Sequence, residues 1–199
     1  MEQDSSNRLV DAELLILPVW LLGAWLSLTV MGGRVDAADS KEALMSFALT
    51  SRAFTEGGAI PARYTCEGQD ASPPLAWADS PAGTKSLALI SDDPDAPGKT
   101  WVHWVIYNIP PAAHELREAF PTDKELPDGT RQGITDFGRT GYGGPCPPSG
   151  THRYFFKLYA LDTTLGLPAG STKPKLEAAM AGHTLARAQL MGTYRRKGR

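Results

Sequence analysis

The sequence predicts a mainly β protein, an antiparallel β-sandwich with a C-terminal α-helix. Three observations predict it. Short runs rich in apolar, aromatic or β-branched residues recur along the chain, and clusters of glycine and proline separate them, as turns between short strands require. Only the C-terminal segment carries apolar residues at helical spacing. Many short strands followed by one late helix fit a sandwich better than an alternating α/β fold.

In chain order, residues 38–46 form a linker into a first strand, Phe47-Ala-Leu-Thr-Ser-Arg-Ala-Phe54. A turn-rich loop follows through Pro61 and Pro73-Pro74. Lys85–Ser91 and Trp101–Ile109 are the next strands. Ala112–Asp128 mixes charges with two prolines and reads as surface loop, holding at most one helical turn. Residues 129–150 are dense in glycine and proline, and so long an irregular stretch inside a compact domain is usually functional. His152–Leu161 is the strongest strand, rich in aromatic residues. For the helix, Thr172 can cap, Pro174 suits the first turn and Gly192 can end it. Leu176, Ala179, Met180, His183 and Leu190 share its apolar stripe, so His183 is expected to be packed.

The N-terminus is different in kind. Leu14 to Met31 is a run of 18 residues without a charge, followed by Arg34 and Val35-Asp36-Ala37. That pattern predicts a signal peptide over residues 1–37, cleaved after Ala37. The acidic start (Glu2, Asp4, Asp11 and Glu13 against Arg8) departs from the usual positive one. An uncleaved membrane anchor over residues 14–31 is therefore the alternative, since a run of this length just crosses a bilayer. A buried core helix is the third option. Either export reading makes residues 47–199 a single periplasmic or secreted domain. Loss of residues 1–37 removes two basic and five acidic side chains, leaving 18 basic and 17 acidic ones. So near-neutral a domain gives no argument for nucleic acid or for general membrane adhesion. Cys66 and Cys146, an even count in an exported chain, suggest a disulfide, with two free thiols as the alternative.

Strand parity assembles a candidate site. Trp101 and His103 point to one face while Val102 and Trp104 point to the other. His152 and Tyr154 likewise share a face, so polar nitrogens sit at a rim above aromatic walls. Asp93-Pro94-Asp95 lies close enough to reach that rim, and Pro94 and Pro97 stiffen the loop. An imidazole beside a carboxylate has its charged form favoured, so His103 or His152 is expected to be protonated near neutral pH. Such a ring suits phosphate or carboxylate, and the loop over 141–150 can bring backbone N–H groups to the same anion. Two aspartates would repel a simple dianion, which favours a ligand that also carries donors. Taken singly, Asp-Pro-Asp is more often a turn than a site, and a lone histidine is mostly structural. Arg153 faces away from His152 and is expected to form a structural ion pair.

The segments Asp92–Pro110 and Gly150-Thr-His-Arg-Tyr154 together resemble the phosphatidylethanolamine-binding protein family, which includes Raf kinase inhibitor proteins and plant flowering-time regulators. Tyr-Gly-Gly-Pro-Cys-Pro-Pro-Ser-Gly-Thr-His-Arg-Tyr, residues 142–154, is similar to its bacterial branch, and the resemblance runs from about Phe47 to Tyr194. It implies a sandwich of Greek-key type and a small anion pocket made by Asp93, Asp95, Trp101, His103, Pro147, His152 and Tyr154. It also places both cysteine-bearing segments beside the ligand, which favours a Cys66–Cys146 bridge. The expected ligand is phosphate or a phosphoethanolamine headgroup, with no metal and no cofactor. A non-enzymatic binding protein that modulates a protein partner is the leading function. The alternatives are a kinase or protease inhibitor acting through a protein surface, and a metal-assisted hydrolase using the Asp/His cluster. The chain has no His-Glu-x-x-His or Gly-x-Ser-x-Gly pattern to support the hydrolase.

Overall fold

The computed structural model describes residues 47–78 and 80–198. The export segment and the linker expected before Phe47 lie outside the described residues. Among the described residues, eight strands and one α-helix follow in order: β1 Leu49–Thr50, β2 Leu75–Trp77, β3 Ser86–Asp93, β4 Trp101–Ile109, β5 Glu115–Leu116, β6 Arg131–Gln132, β7 His152–Leu161, α1 Lys173–Met180 and β8 Thr184–Tyr194. They form a five-stranded sheet, β6-β4-β3-β7-β8, and a three-stranded sheet, β1-β2-β5, with antiparallel neighbours throughout. The fold is an antiparallel β-sandwich with one helix.

β3 is buried along its whole length, and alternate residues serve two cores. Leu87 and Leu89 join Trp104, Ile106, Phe156 and Leu158 in the cluster that also holds Leu49, Leu75 and Trp77 of the small sheet. Ala88 and Ile90 face the other way and join Val105, Tyr107, Leu176 and Met180, under α1. A strand covered on both faces needs no polar alternation, which is why Lys85–Ser91 reads as a largely apolar run.

Local chemistry explains where the elements depart from expectation. The first strand stops at Thr50, because the Ser51 hydroxyl accepts the Ala53 N–H at 3.0 Å and donates to the Pro74 carbonyl at 2.6 Å. Such side-chain bonds to backbone compete with a sheet ladder. The segment over 112–128 contributes the two-residue strand β5, and no helix falls within it.

The larger difference is at the C-terminus. The helix does not run to Gly192; it ends at Met180, and Gly182, at φ 79°, turns the chain into β8. Ala186, Ala188, Leu190, Gly192 and Tyr194 are buried, while Leu185, Arg187 and Gln189 are exposed. That is a period of two, and the pairing with β7 overrides the helical preference of the alanines. His183 is not packed on a helix: it sits half-exposed in the turn, with Nδ1 2.8 Å from Asp162 Oδ1.

Gly192 is held by a close crossing. The Thr193 N–H donates to Gly58 O and the Ile60 N–H donates to Thr193 O, both at 2.8 Å. A Cβ on Gly192 would lie 2.6 Å from Ile60 Cγ1 and 2.8 Å from Phe54 Cε2. Gly192→Ala is therefore expected to destabilise the domain by roughly 1–3 kcal/mol, the usual cost of overpacking. A lowered urea-unfolding midpoint at unchanged slope checks this, and an unshifted midpoint would contradict the crossing.

Candidate functional site

Antiparallel order builds the site. β3 lies between β4 and β7, so the last residue of β3 meets the first residues of both neighbours. Asp93 pairs with Trp101, and His152 begins β7 three residues before Phe155, the partner of Asp92. Asp93, Trp101, His103, His152 and Tyr154 thereby line one cavity of about 250 Å³, closed from above by Phe137, Pro147 and Pro148 of the glycine-rich loop. That space is of the size of a small headgroup rather than of a lipid or peptide.

Asp93 has two tasks. Its Oδ1 accepts the Asp95 N–H at 2.8 Å, closing an Asp-x-Asp turn, and its Oδ2 meets His152 Nδ1 at 2.7 Å. The turn and the site are thus the same group of atoms. The pair is buried, with side chains 4% and 9% exposed. Holding Nδ1 leaves Nε2 as the nitrogen of His152 able to meet a ligand.

Asp95 differs from expectation, for it does not line the cavity. Both of its oxygens face Arg153, accepting from Nε at 2.9 Å, Nη2 at 2.7 Å and the backbone N–H at 2.9 Å. The Arg153 hydrogen bonds hold its carboxyl down at about 2. Arg153 is half-exposed, so this fork fixes the turn against β7 and adds little stability.

His103 also departs from the cationic reading. Its Nδ1–H donates to the Gly143 carbonyl at 2.5 Å, and the Gly143 N–H returns a bond to His103 O at 3.0 Å. Burial pushes the imidazole pKa below its ordinary value, against the opposing pull of the Gly143 carbonyl and of Asp93. A neutral ring with its proton on Nδ1 carries a lone pair on Nε2, so His103 is an acceptor here. Tyr154 stacks edge-on to it at 5.2 Å. Burial and the Asp93 charge push the Tyr154 phenol pKa up, and its buried hydroxyl, lying against Asp93, makes no hydrogen bond of ordinary geometry.

Sequence reasoning missed Phe137. Its ring is 40% exposed and sits edge-on to Trp101 at 5.6 Å and to His103 at 5.4 Å. Gly143 makes room for it, since a Cβ there would lie 2.3 Å from Phe137 Cε2. A phenylalanine in a loop of glycines and polar residues was the available signal.

Cys66 and Cys146 form a disulfide with Cα atoms 5.4 Å apart, closing a sequence separation of 80 residues. A loop that long is worth on the order of 4 kcal/mol in the chain-entropy account. Both residues are exposed, and Cys146 lines the cavity. Before the bridge the loop is tied down by Tyr142 Oη to Tyr64 O, by the Gly144 N–H to Asp70 Oδ1 and by the Cys66 N–H to Pro145 O. After it, Pro147–Gly150 makes no hydrogen bond to a described residue. The bridge is the last tie before His152.

A β-sandwich whose strand ends share a small Asp–His cavity under a glycine-rich loop defines a ligand-binding fold, and its relatives place it. The phosphatidylethanolamine-binding protein family model matches residues 50–195, and the chain belongs to this family. A UPF0098 protein of Methanothermobacter thermautotrophicus is 57% identical over 148 residues, which are 74% of this chain and 98% of the relative. One from Aquifex aeolicus is 54% identical, covering 73% of this chain and 86% of its own. Among solved structures, a phosphatidylethanolamine-binding protein homologue from Chlamydia trachomatis superposes with a TM-score of 0.71 at 43% identity, over 76% of this chain and 99% of its own. Escherichia coli YbcL, described as a member of the mammalian family, gives 0.70 at 35% identity, with the same coverage.

The neutral His103 has a consequence for stability. Its folded pKa lies below the ordinary 6.5, so between these two values the unfolded chain binds a proton that the folded chain does not. Stability therefore falls as pH drops below about 6.5. His103→Asn keeps a donor for the Gly143 carbonyl and removes the titration. Urea midpoints measured from pH 7.5 to pH 5 should fall further for the wild type than for this variant. Parallel losses would mean that His103 is not held neutral.

Proposed function

We propose that this protein is a non-enzymatic binding protein whose cavity recognises small phosphate-type anions, with phosphate and the phosphoethanolamine group as representative ligands. The observation that carries the reading is the buried Asp93–His152 pair, 2.7 Å apart, with the Tyr154 phenol lining the same cavity. With Nδ1 held by Asp93, the charged form of the His152 ring presents its second N–H to the cavity. The phenol adds a neutral donor next to it. Trp101, Pro147 and Phe137 keep water from the walls, and hydrogen bonds to an anion gain strength as the local dielectric falls. Recognition fits better than hydrolysis, because both oxygens of Asp93 are already committed, to His152 and to the Asp95 N–H.

His152→Ala is expected to lose roughly 1.5–3 kcal/mol of affinity for phosphoethanolamine, about 10- to 150-fold, for one charge-assisted hydrogen bond. Asp93→Asn should also weaken binding even though it removes a negative charge, since it releases both the ring and the turn. Calorimetric titration reads both. Unchanged affinity in His152→Ala would overturn the function, and tighter binding in Asp93→Asn would make the cavity a simple electrostatic sink.

We also propose that the domain is exported, periplasmic or secreted. Export is supported by the uncharged run Leu14–Met31 before Val35-Asp36-Ala37, and by a solvent-exposed disulfide of a kind that reducing compartments do not keep. N-terminal sequencing of the chain from the cell envelope should find Ala38 as the first residue. An intact Met1 on a soluble cytoplasmic product would overturn export.

A further inference from the structure

We propose that the cavity selects a phosphate monoester in its singly protonated form, with the ligand's own P–O–H donating to Nε2 of His103. This deepens the phosphate-binding reading and rests on it. The geometry supplies the reason. Nδ1–H of His103 is spent on the Gly143 carbonyl, and Nε2 has no hydrogen bond to a described residue, so that nitrogen offers a lone pair. No lysine or arginine among the described residues lines the cavity. A dianion would meet one histidine cation at most, and would turn an oxygen lone pair toward the lone pair of His103. A monoanion that carries a hydroxyl puts a donor there and keeps its charge for His152 and Tyr154.

The surroundings of His103 leave no unpaired negative charge to make it a cation. Asp92 is held by Lys157 Nζ at 2.7 Å and by Lys173 Nζ at 2.6 Å. Asp70 takes the Gly144 N–H at 2.6 Å and Arg139 at 3.1 Å. Asp136 takes Lys99 at 2.6 Å and the Val102 N–H at 2.7 Å. Asp93 is bound to His152. From β7, Tyr154 faces the ring as an uncharged phenol. Each neighbouring carboxylate is thus matched elsewhere, and burial of the imidazole decides its state.

Methyl phosphate and methyl sulfate isolate the donor. Near pH 5.5 both are monoanions of similar shape, and only the phosphate carries a hydroxyl. Calorimetry on the full chain is expected to show methyl phosphate binding at least about tenfold tighter, since a site built around a hydrogen bond rejects the analogue that lacks it. In His103→Asn that ratio should fall toward one through weaker methyl phosphate binding, whereas a merely structural role for His103 would weaken both ligands alike and leave the ratio unchanged. Methyl phosphate affinity should decline above the ligand's second pKa, about 6 for such esters. With methylphosphonate, whose second pKa is higher, the decline should move to higher pH. A decline fixed at one pH for both ligands would assign it to the protein and overturn the proposal. Equal binding of methyl phosphate and methyl sulfate would also overturn it, leaving the anion site standing. Glycerophosphoethanolamine, a diester with an ammonium group, should bind weakly. If it matched methyl phosphate, the donor would be the amine and the source a lipid headgroup, against the proposal. If no ligand bound, the phosphate-binding reading itself would fail.

Discussion

Everything at the site depends on the confinement of β3. The strand has a neighbour on each edge and a core on each face, so none of its residues can shift register without moving an entire apolar set to the wrong side. Where it ends is therefore where β4 and β7 must begin. That single meeting point puts a carboxylate, two imidazoles and a phenol within reach of one another without any help from the loops. The glycine-rich loop then roofs a site already built by the sheet.

The two adjacent aspartates at that end show how parity divides labour. Asp92 and Asp93 are both buried, yet they point to opposite faces. Asp92 looks toward α1 and is neutralised by one lysine from β7 and another from the start of the helix. It is a structural charge, costly to bury and costlier to leave alone if its partners go. Asp93 looks toward the cavity and is matched by an imidazole whose other nitrogen remains available. The same residue type, one position apart, is in one case a tie between sheet and helix and in the other the base of a binding site.

Much of this was legible in the chain. The four long runs of apolar and aromatic residues mapped onto real strands or their beginnings, and parity alone put His103 beside Trp101 and His152 beside Tyr154. The family resemblance supplied the conjunction of segments. What escaped did so for physical reasons. β8 carries Ala186 and Ala188 in its first half, residues that favour helix, so only its partner β7 decides its state. The charge on His103 depends on how deeply the ring is buried and on where one carbonyl oxygen of a distant loop lies, neither of which is written in local spacing. Asp95 parts from Asp93 because the strand ends there: strand parity would put both on one face, and the turn instead sends Asp95 to Arg153. Phe137 belongs to the site through a contact with Gly143 six residues on, a pairing that no periodic pattern announces.

The sheet order also sets a schedule. One neighbour of β3 follows it almost at once, but the other, β7, begins at His152, well after β3 ends at Asp93. Until that later stretch is made, a strand of strongly apolar residues has one open edge, the kind of template on which chains add to one another. A chain cut short in the glycine-rich loop would keep that edge permanently. For a growing or threading polypeptide, the segment that completes the ligand cavity is thus the same one that makes the sheet safe in company.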